Sequence, residues 1–385
     1  MHSRRDFLKI SAFLGAGAVV SLYGAEIKRV FAQSAESNAG KIHMIWLLLA
    51  GDSGCTISML QASNPDLIES VESLGISADY WQTFMTPDYD LGWVSAGYTT
   101  ENNSQVPLMN TAFGNAPVDL LVVEGAPQVG TPNTKSEGDY CVIGEYNGAS
   151  VNGYQLLQKL ASKAGHVIAI GQCSSFGGIP AGKGNLTGAV SVTDALKKAG
   201  VTTKNPVVNI PGCPAQPDWV LITLASVLQG FTPELDDMNR PKAFFSGVIH
   251  DNCPRRGAYD RGDFATTFDD PVGCYWNLGC KGPITQSSCA LTRWNNGVGF
   301  CTENGPMCWG CMHPSFPDPP SSPFFEQVSL TPSFLGLTVD EYAELVALGS
   351  IIAVGAHLTR KVVTKEEEEK EAKKGMKPIV EEPPV

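Results

Sequence analysis

Seven of the chain's eleven cysteines, together with one histidine, crowd between Ile249 and Met312. The run is His250-Asp-Asn-Cys253, then Cys274-Tyr-Trp-Asn-Leu-Gly-Cys280, then Cys289, Cys301 and Cys308-Trp-Gly-Cys311. From Asp236 to about Phe325 the chain is rich in Pro, Gly, Asn and Cys and carries no periodic apolar run. Such a segment cannot bury enough apolar surface to order itself, so metal centres would have to serve as its core. Thiolates, joined by an imidazole, are the donors that iron–sulfur clusters use. Each cubane takes four protein ligands, so eight donors suffice for two clusters. Disulfides fit less well: the cysteine count is odd, the spacings are short, and a chain of 385 residues is large enough not to need staples. The segment reads as an electron conduit.

The N-terminus carries Ser3-Arg4-Arg5-Asp6-Phe7-Leu8-Lys9 before an apolar stretch from Ile10 to Tyr23, and Val30-Phe31-Ala32 offers small residues for cleavage. This is the pattern of a twin-arginine export signal over residues 1–32, too short in its apolar core for a membrane span. That route carries folded, cofactor-loaded cargo, and the expected location is the periplasm or the outer face of the cytoplasmic membrane. A net charge of −12 argues against nucleic acid as a partner.

Ahead of the cysteine-rich segment the grammar is different. Ile42 to Ala50, Asp119 to Glu124, His166 to Ile170 and Pro206 to Ile210 are short, nearly continuous apolar runs, as in strands buried on both faces of a parallel sheet. Gly153 to Ala164 and Val192 to Ala199 have helical spacing and complete βαβ units. The expected fold class is therefore α/β, a doubly wound parallel sheet, followed by an irregular domain. Open α/β sheets bind ligands beyond the carboxyl ends of their strands. Cys55, Cys173 and Cys213 each follow an expected strand, so they converge on one sheet edge and argue for a third cluster. Near the other end, Leu345 to Leu358 is a short apolar stretch, expected to pack on this protein or a partner rather than to cross a bilayer. Glu366 to Glu369 and the Lys-rich, Pro-ending residues after them suit a solvated tail.

From Ile42 to about Phe325 these motifs resemble the small, electron-transfer subunit of nickel–iron hydrogenases. Val123-Glu-Gly125 with Ala-Pro matches that family's second-strand loop. Gly171-Gln-Cys173-Ser-Ser-Phe-Gly-Gly178 and Pro211-Gly-Cys213-Pro214 match its proximal-cluster loops. His250-Asp-Asn-Cys253-Pro-Arg-Arg256 and Leu278-Gly-Cys280-Lys-Gly-Pro283 match its distal-cluster segments, and Cys308-Trp-Gly-Cys311 its last medial pair. The resemblance implies a flavodoxin-like domain at 40–236 with the proximal cluster and an iron–sulfur domain at 237–325 with the medial and distal ones. A helical segment at 326–360 and a disordered charged tail at 361–385 would follow.

Carried over residue by residue, the resemblance implies a distal cluster on His250, Cys253, Cys274 and Cys280. Neutral imidazole brings less charge than thiolate and raises that cluster's potential. The medial set would be Cys289, Cys301, Cys308 and Cys311. Many relatives have proline near Cys301 and a three-iron medial cluster; a fourth thiolate here favours four irons, with one extra residue near Gly297 shifting the spacing. The proximal set would be Cys55, Cys173 and Cys213, but the family's first Cys-x-x-Cys reads Asp52-Ser-Gly-Cys55. Either Asp52 ligates iron through oxygen, or one iron lacks a protein ligand, or Cys141 completes the site. Gly54 and Gly178 stand where some oxygen-tolerant relatives carry extra cysteines. Glu124, at a strand end beside the site, suits a hydrogen-bonding role more than proton relay.

The implied cofactors are three [4Fe-4S] clusters, with a [3Fe-4S] medial cluster as the alternative. The implied enzyme is a heterodimeric hydrogenase whose nickel–iron site lies in the large subunit, so no catalytic residue is assigned to this chain. Electrons would pass from the large subunit through proximal, medial and distal clusters to an acceptor such as a cytochrome or another iron–sulfur protein. Membrane association would be at most peripheral or through a partner. Two other readings are a stand-alone exported iron–sulfur carrier and a complex-I-like quinone-reducing subunit. The second of these offers no reason for the cysteine-rich domain or for export.

Overall fold

The computed structural model describes residues 42–63, 65–85, 103–131, 138–231, 233–318, 326–327 and 339–375. The export signal, with Arg4 and Arg5, lies outside them. The strands are β1 (Ile42–Leu48), β2 (Ile76–Trp81), β3 (Leu120–Glu124), β4 (Val142–Tyr146), β5 (Ala149–Asn152), β6 (His166–Ile170) and β7 (Val208–Ile210). Five of them form one parallel sheet in the order β2-β1-β3-β6-β7, while β4 and β5 pair as a separate antiparallel hairpin. Counting sheet strands alone, that is the flavodoxin-like order, with its switch point between β1 and β3. The Val123-Glu-Gly125 motif therefore ends the third strand, not the second, because the sequence reading did not recognise β2.

Side chains alternate across the sheet as the period of two requires. Ile45, Leu47, Leu121, Val123 and Val167 face one way, against α3 (Gln105–Phe113), α4 (Gly153–Ala161) and α6 (Val192–Lys198). Met44, Trp46, Leu120, Val122 and Ile168 face the other, against α1 (Gly54–Met59), α2 (Leu67–Leu74) and α7 (Pro217–Leu228). Burying each such side chain contributes about 1.5–3 kcal/mol. The helices start where local chemistry tells them to. Asn152 and Gln155 form a reciprocal capping box on α4, and Gln216 caps α7 through the Trp219 N–H just before Pro217.

The described residues on both sides of the expected boundary near Asp236 belong to one compact unit. Phe244, Phe245, Ile249, Phe300, Met307 and Met312, from the cysteine-rich segment, belong to the same buried cluster as Met44 and Trp46. Trp219 of α7 is the hinge pin of this shared core, stacked on Phe244 at 5.2 Å and edge-on to Phe245 at 5.4 Å. The cysteine-rich segment thus borrows an apolar core from the sheet domain as well as converging its own thiols.

A second unit spans Ser329–Val385. Within it Val339–Gly375 is one continuous helix of 37 residues, which passes through the residues assigned from sequence to a charged tail. Its Glu344–Glu366 portion covers 23 residues at a mean hydropathy of 1.4, none of them buried. At 1.5 Å per residue that is about 34 Å, enough for a bilayer core of about 30 Å. The sequence reading had stopped the apolar stretch at Leu358; Val362 and Val363 beyond Arg360 and Lys361 extend it.

Candidate iron–sulfur sites

β1, β3, β6 and β7 all end on one edge of the sheet, at a cavity of about 80 Å³ lined by Asp52, Cys55, Glu124, Cys173 and Cys213. A water needs only about 10–15 Å³ by that measure, so the space suits a much larger group. Gly171 makes it possible: its φ is +81°, and a Cβ there would lie 2.4 Å from Cys55 Sγ. Burial first, then Glu124, push the Cys55 thiol well up; the Ala215 N–H, 3.4 Å from Sγ, pulls the other way. Burial, Cys213 and Asp52 push Cys173 up to about 12, and burial followed by Asp52 raises Cys213. Thiols this reluctant to ionise side by side become thiolates when metal cations replace their protons. The donor set and the cavity fit an iron–sulfur cluster.

Asp52 stands at the mouth of this cavity. Its Oδ1 accepts the Gly54 N–H at 2.8 Å, which leaves Oδ2 as the candidate donor to iron. A side chain at Gly54 would put Cβ 2.8 Å from Asp52 Oδ1, so the carboxylate would have to turn aside to admit one. Glu124, only 2% exposed, is held differently. It accepts Trp46 Nε1 at 2.8 Å, the Thr56 N–H at 3.0 Å and Thr56 Oγ1 at 2.5 Å. Trp81 Nε1 donates in turn to Thr56 Oγ1 at 3.1 Å and stacks on Trp46 at 4.1 Å. This network locks the turn that carries Cys55. Sequence reasoning named Glu124 but missed Thr56, Trp46 and Trp81, whose identities look like ordinary core residues. Cys141 sits elsewhere: a Cβ on Gly153 would come 3.2 Å from its Sγ, and the thiol packs with the hairpin and α4. It is not among the residues lining the cavity.

The cysteine-rich segment brings the other donors together as two sets. His250 lies in the short turn Ile249–Asn252, with Cys253 next to it, while Cys274 and Cys280 bracket Tyr275–Leu278. Burial, then the Arg256 guanidinium, lower His250, which favours the neutral ring, and its Nε2 is buried with no hydrogen-bond partner. An unpartnered imidazole nitrogen in a segment this rich in thiols fits a metal ligand. Burial raises Cys280 to about 11, opposed by the N–H of Gly282, with Cys253 and Cys274 adding to the rise. Arg255 ties this set in place, donating to the carbonyls of Thr302, Asp270 and Gly273 and covering the Tyr275 ring at 4.0 Å.

Cys289, Cys301, Cys308 and Cys311 form the other set. Burial raises Cys289 to about 11, with Ser287 Oγ 3.1 Å away opposing it, and Cys301 is among its charged neighbours. Burial, then Cys289, push Cys311 far up, and Cys301 adds to it. Cys301 acts on Cys289, Cys308 and Cys311, while Cys280 comes first after burial among the causes that raise Cys308. Among the described residues no three His, Cys, Asp or Glu side chains close on a single-ion position.

The two halves of this arrangement match different family models. The model described as NADH ubiquinone oxidoreductase, 20 Kd subunit, matches residues 53–227, and that for the C-terminal part of the NiFe/NiFeSe hydrogenase small subunit matches 245–325. The periplasmic [NiFeSe] hydrogenase small subunit of Desulfomicrobium baculatum is 38% identical over 336 residues, covering 84% of this chain and 98% of the relative. The chain belongs to the nickel–iron hydrogenase small subunits. The small subunit of F420 non-reducing hydrogenase II from Methanosarcina mazei is 33% identical over 383 residues, 93% of each. A crystal structure of the reduced, active Ni-Fe-Se hydrogenase from D. baculatum superposes with a TM-score of 0.64 at 38% identity, covering 74% of this chain and 99% of that one. This hydrogenase small subunit is thus an iron–sulfur, electron-transfer component of a heterodimeric hydrogenase. The complex-I-like reading is accounted for by a shared sheet domain, and it leaves the cysteine-rich segment unexplained.

Proposed function

We propose that this small subunit carries electrons through three four-iron clusters in series. Asp52, Cys55, Cys173 and Cys213 hold the proximal one, Cys289, Cys301, Cys308 and Cys311 the medial one, and His250, Cys253, Cys274 and Cys280 the distal one. The observation that carries the order is contact between the sets. Gln172, beside Cys173, donates to the His313 carbonyl at 2.7 Å, and the Cys213 backbone N–H hydrogen-bonds the Cys311 thiol. A Cβ on Gly282 would lie 3.5 Å from Cys280 Sγ and 3.8 Å from Cys308 Cβ. The Cys289–Cys311 set therefore stands between the other two. The clusters supply the redox chemistry; the chain spaces them, excludes water and tunes their charge.

The sheet edge with the proximal set faces the large subunit in this reading. Ile57 of α1, Leu60 just after it and Ile179 after Cys173 leave apolar surface there more than half exposed. Periplasmic relatives and the paired arginines support export by the twin-arginine route. The long helix favours anchoring in the membrane over peripheral association. Arg360, Lys361 and Lys365 gather in the last turns of its Glu344–Glu366 portion while Asp340, Glu341 and Glu344 gather at the start, the polarity of a span whose C-terminal end stays cytoplasmic. A membrane cytochrome is then the fitting acceptor. Purification through a tag on this chain tests the whole: the large subunit co-purifies, hydrogen reduces a dye only with the pair, and deletion of 339–385 moves the pair from membranes to the soluble periplasm. A chain that reduces dye from hydrogen alone, or never captures a large subunit, refutes the reading.

A further inference from the structure

Lys281 directly follows the distal residue Cys280, and it is 1% exposed, among the largest fully buried side chains of the molecule. A buried ammonium is costly unless anionic neighbours match it. Everything around this one ties two segments together. Its backbone N–H donates to the carbonyl of Cys308 at 2.8 Å, and its own carbonyl accepts Thr285 Oγ1 at 2.7 Å. Its ammonium donates to the Glu326 carbonyl at 2.6 Å. Its stem lies on Gly310 of the Cys308-Trp-Gly-Cys311 turn, where φ is +72° and a Cβ would sit 2.8 Å from Lys281 Cβ. Burial pulls its ammonium down, opposed by Cys280, Glu326 and Cys308 in that order. Arg240 is also buried, at 2% exposed, but it is ion-paired to Asp236, while Arg256 is 41% exposed.

We propose that Lys281 acts as a fixed cation at the medial–distal junction and sets the electron affinity of both clusters together. The inference rests on the assignment of Cys308 to the medial and Cys280 to the distal cluster. No bond forms or breaks at Lys281 and no proton leaves it. One electron lost on the Cys308 side is gained on the Cys280 side, and the cation stabilises the more negative, reduced state on either side of it. In a site shielded from water, such a charge acts more strongly than on the surface. A neutral chain of similar length would fill the same space, and any donor would satisfy the Glu326 carbonyl. Only the positive charge is irreplaceable.

The test is a redox titration of the purified heterodimer, followed by electron paramagnetic resonance, for wild type, Lys281→Met, Lys281→Gln and Lys281→Arg, with iron content measured on each. In the neutral variants the reduced-to-oxidised ratio of both the medial and the distal cluster should fall at least tenfold at a fixed applied potential, which is about 59 mV for one electron. The proximal ratio should move less than threefold, and Lys281→Arg should stay within threefold of wild type at all clusters. Unshifted ratios in a neutral variant that retains its iron overturn the proposal, as does an equal shift at the proximal cluster. Loss of iron from both neutral variants with Lys281→Arg intact also overturns it, because the role would then be structural. Absence of medial and distal signals from the wild type would instead refute the ligand assignment beneath it.

Discussion

Glu124→Gln separates charge from shape at the turn that carries Cys55. All the groups that meet the carboxylate are donors: Trp46 Nε1, the Thr56 N–H and Thr56 Oγ1. The N–H groups of Trp46 and Thr56 can only donate, and the Thr56 hydroxyl also accepts from Trp81 Nε1. A glutamine oxygen placed where Oε2 now sits keeps Trp46 and the hydroxyl, but its amide NH2 then faces the Thr56 N–H. One buried hydrogen bond to a charged acceptor is lost, at about 1.5–3 kcal/mol. For a unit of this size, about 2–4 °C per kcal/mol turns that into a fall of roughly 3–12 °C in the unfolding midpoint. Removing the negative charge also takes away the second largest cause of the raised Cys55 thiol, so the proximal potential should move upward. Matched-rate thermal scans of the anaerobic heterodimer read the first effect, and a redox titration the second. A variant within 1 °C of wild type with an unmoved proximal potential would refute the network as the anchor of Cys55.

Asp52→Ala should alter the proximal cluster's spectrum and lability while medial and distal signals persist, and Asp52→Cys should restore a four-iron cluster at a changed potential; an Asp52→Ala protein spectroscopically identical to wild type would refute ligation. Cys301→Pro should convert the medial cluster to a three-iron one, seen as a sharp resonance in the oxidised protein at about one per molecule. Stripping iron anaerobically should raise hydrogen exchange across residues 245–318 while β1, β3 and β6 stay protected, because only the cysteine-rich segment depends on clusters for part of its core.

The sheet was legible where strands are buried on both faces: β1, β3, β6 and β7 are continuous apolar runs, and no surface pattern competes with them. β2 was not, because Ile76-Ser-Ala-Asp-Tyr-Trp81 is an edge strand paired only to β1, with Ser77 and Asp79 half-buried at the open end. The β4–β5 hairpin did leave a signal, Asn147-Gly148, both with positive φ, which is the two-residue turn that such strands favour. The donors were legible as residue types and spacings, since few chemistries use thiols this densely. Their sorting into sets was legible only through family resemblance, because loop-rich backbone gives no periodicity from which to place Cys301 beside Cys289. Partners that act by packing left no mark: a tryptophan that donates to Glu124 and a lysine buried between two sets look the same in sequence as any other. The C-terminal helix was under-read because two basic residues interrupt its apolar run, and a helix tolerates such residues near a membrane surface.

Mössbauer spectroscopy on the anaerobically purified, iron-57-enriched heterodimer, backed by electron paramagnetic resonance of its oxidised form, tests the central claim most directly. Excluding the large subunit's own iron, the account predicts about twelve irons in three four-iron clusters, one of them with an iron site distinguished by nitrogen ligation and one by oxygen, and no stoichiometric three-iron resonance. Two clusters instead of three, or a three-iron signal at one per protein, would contradict it.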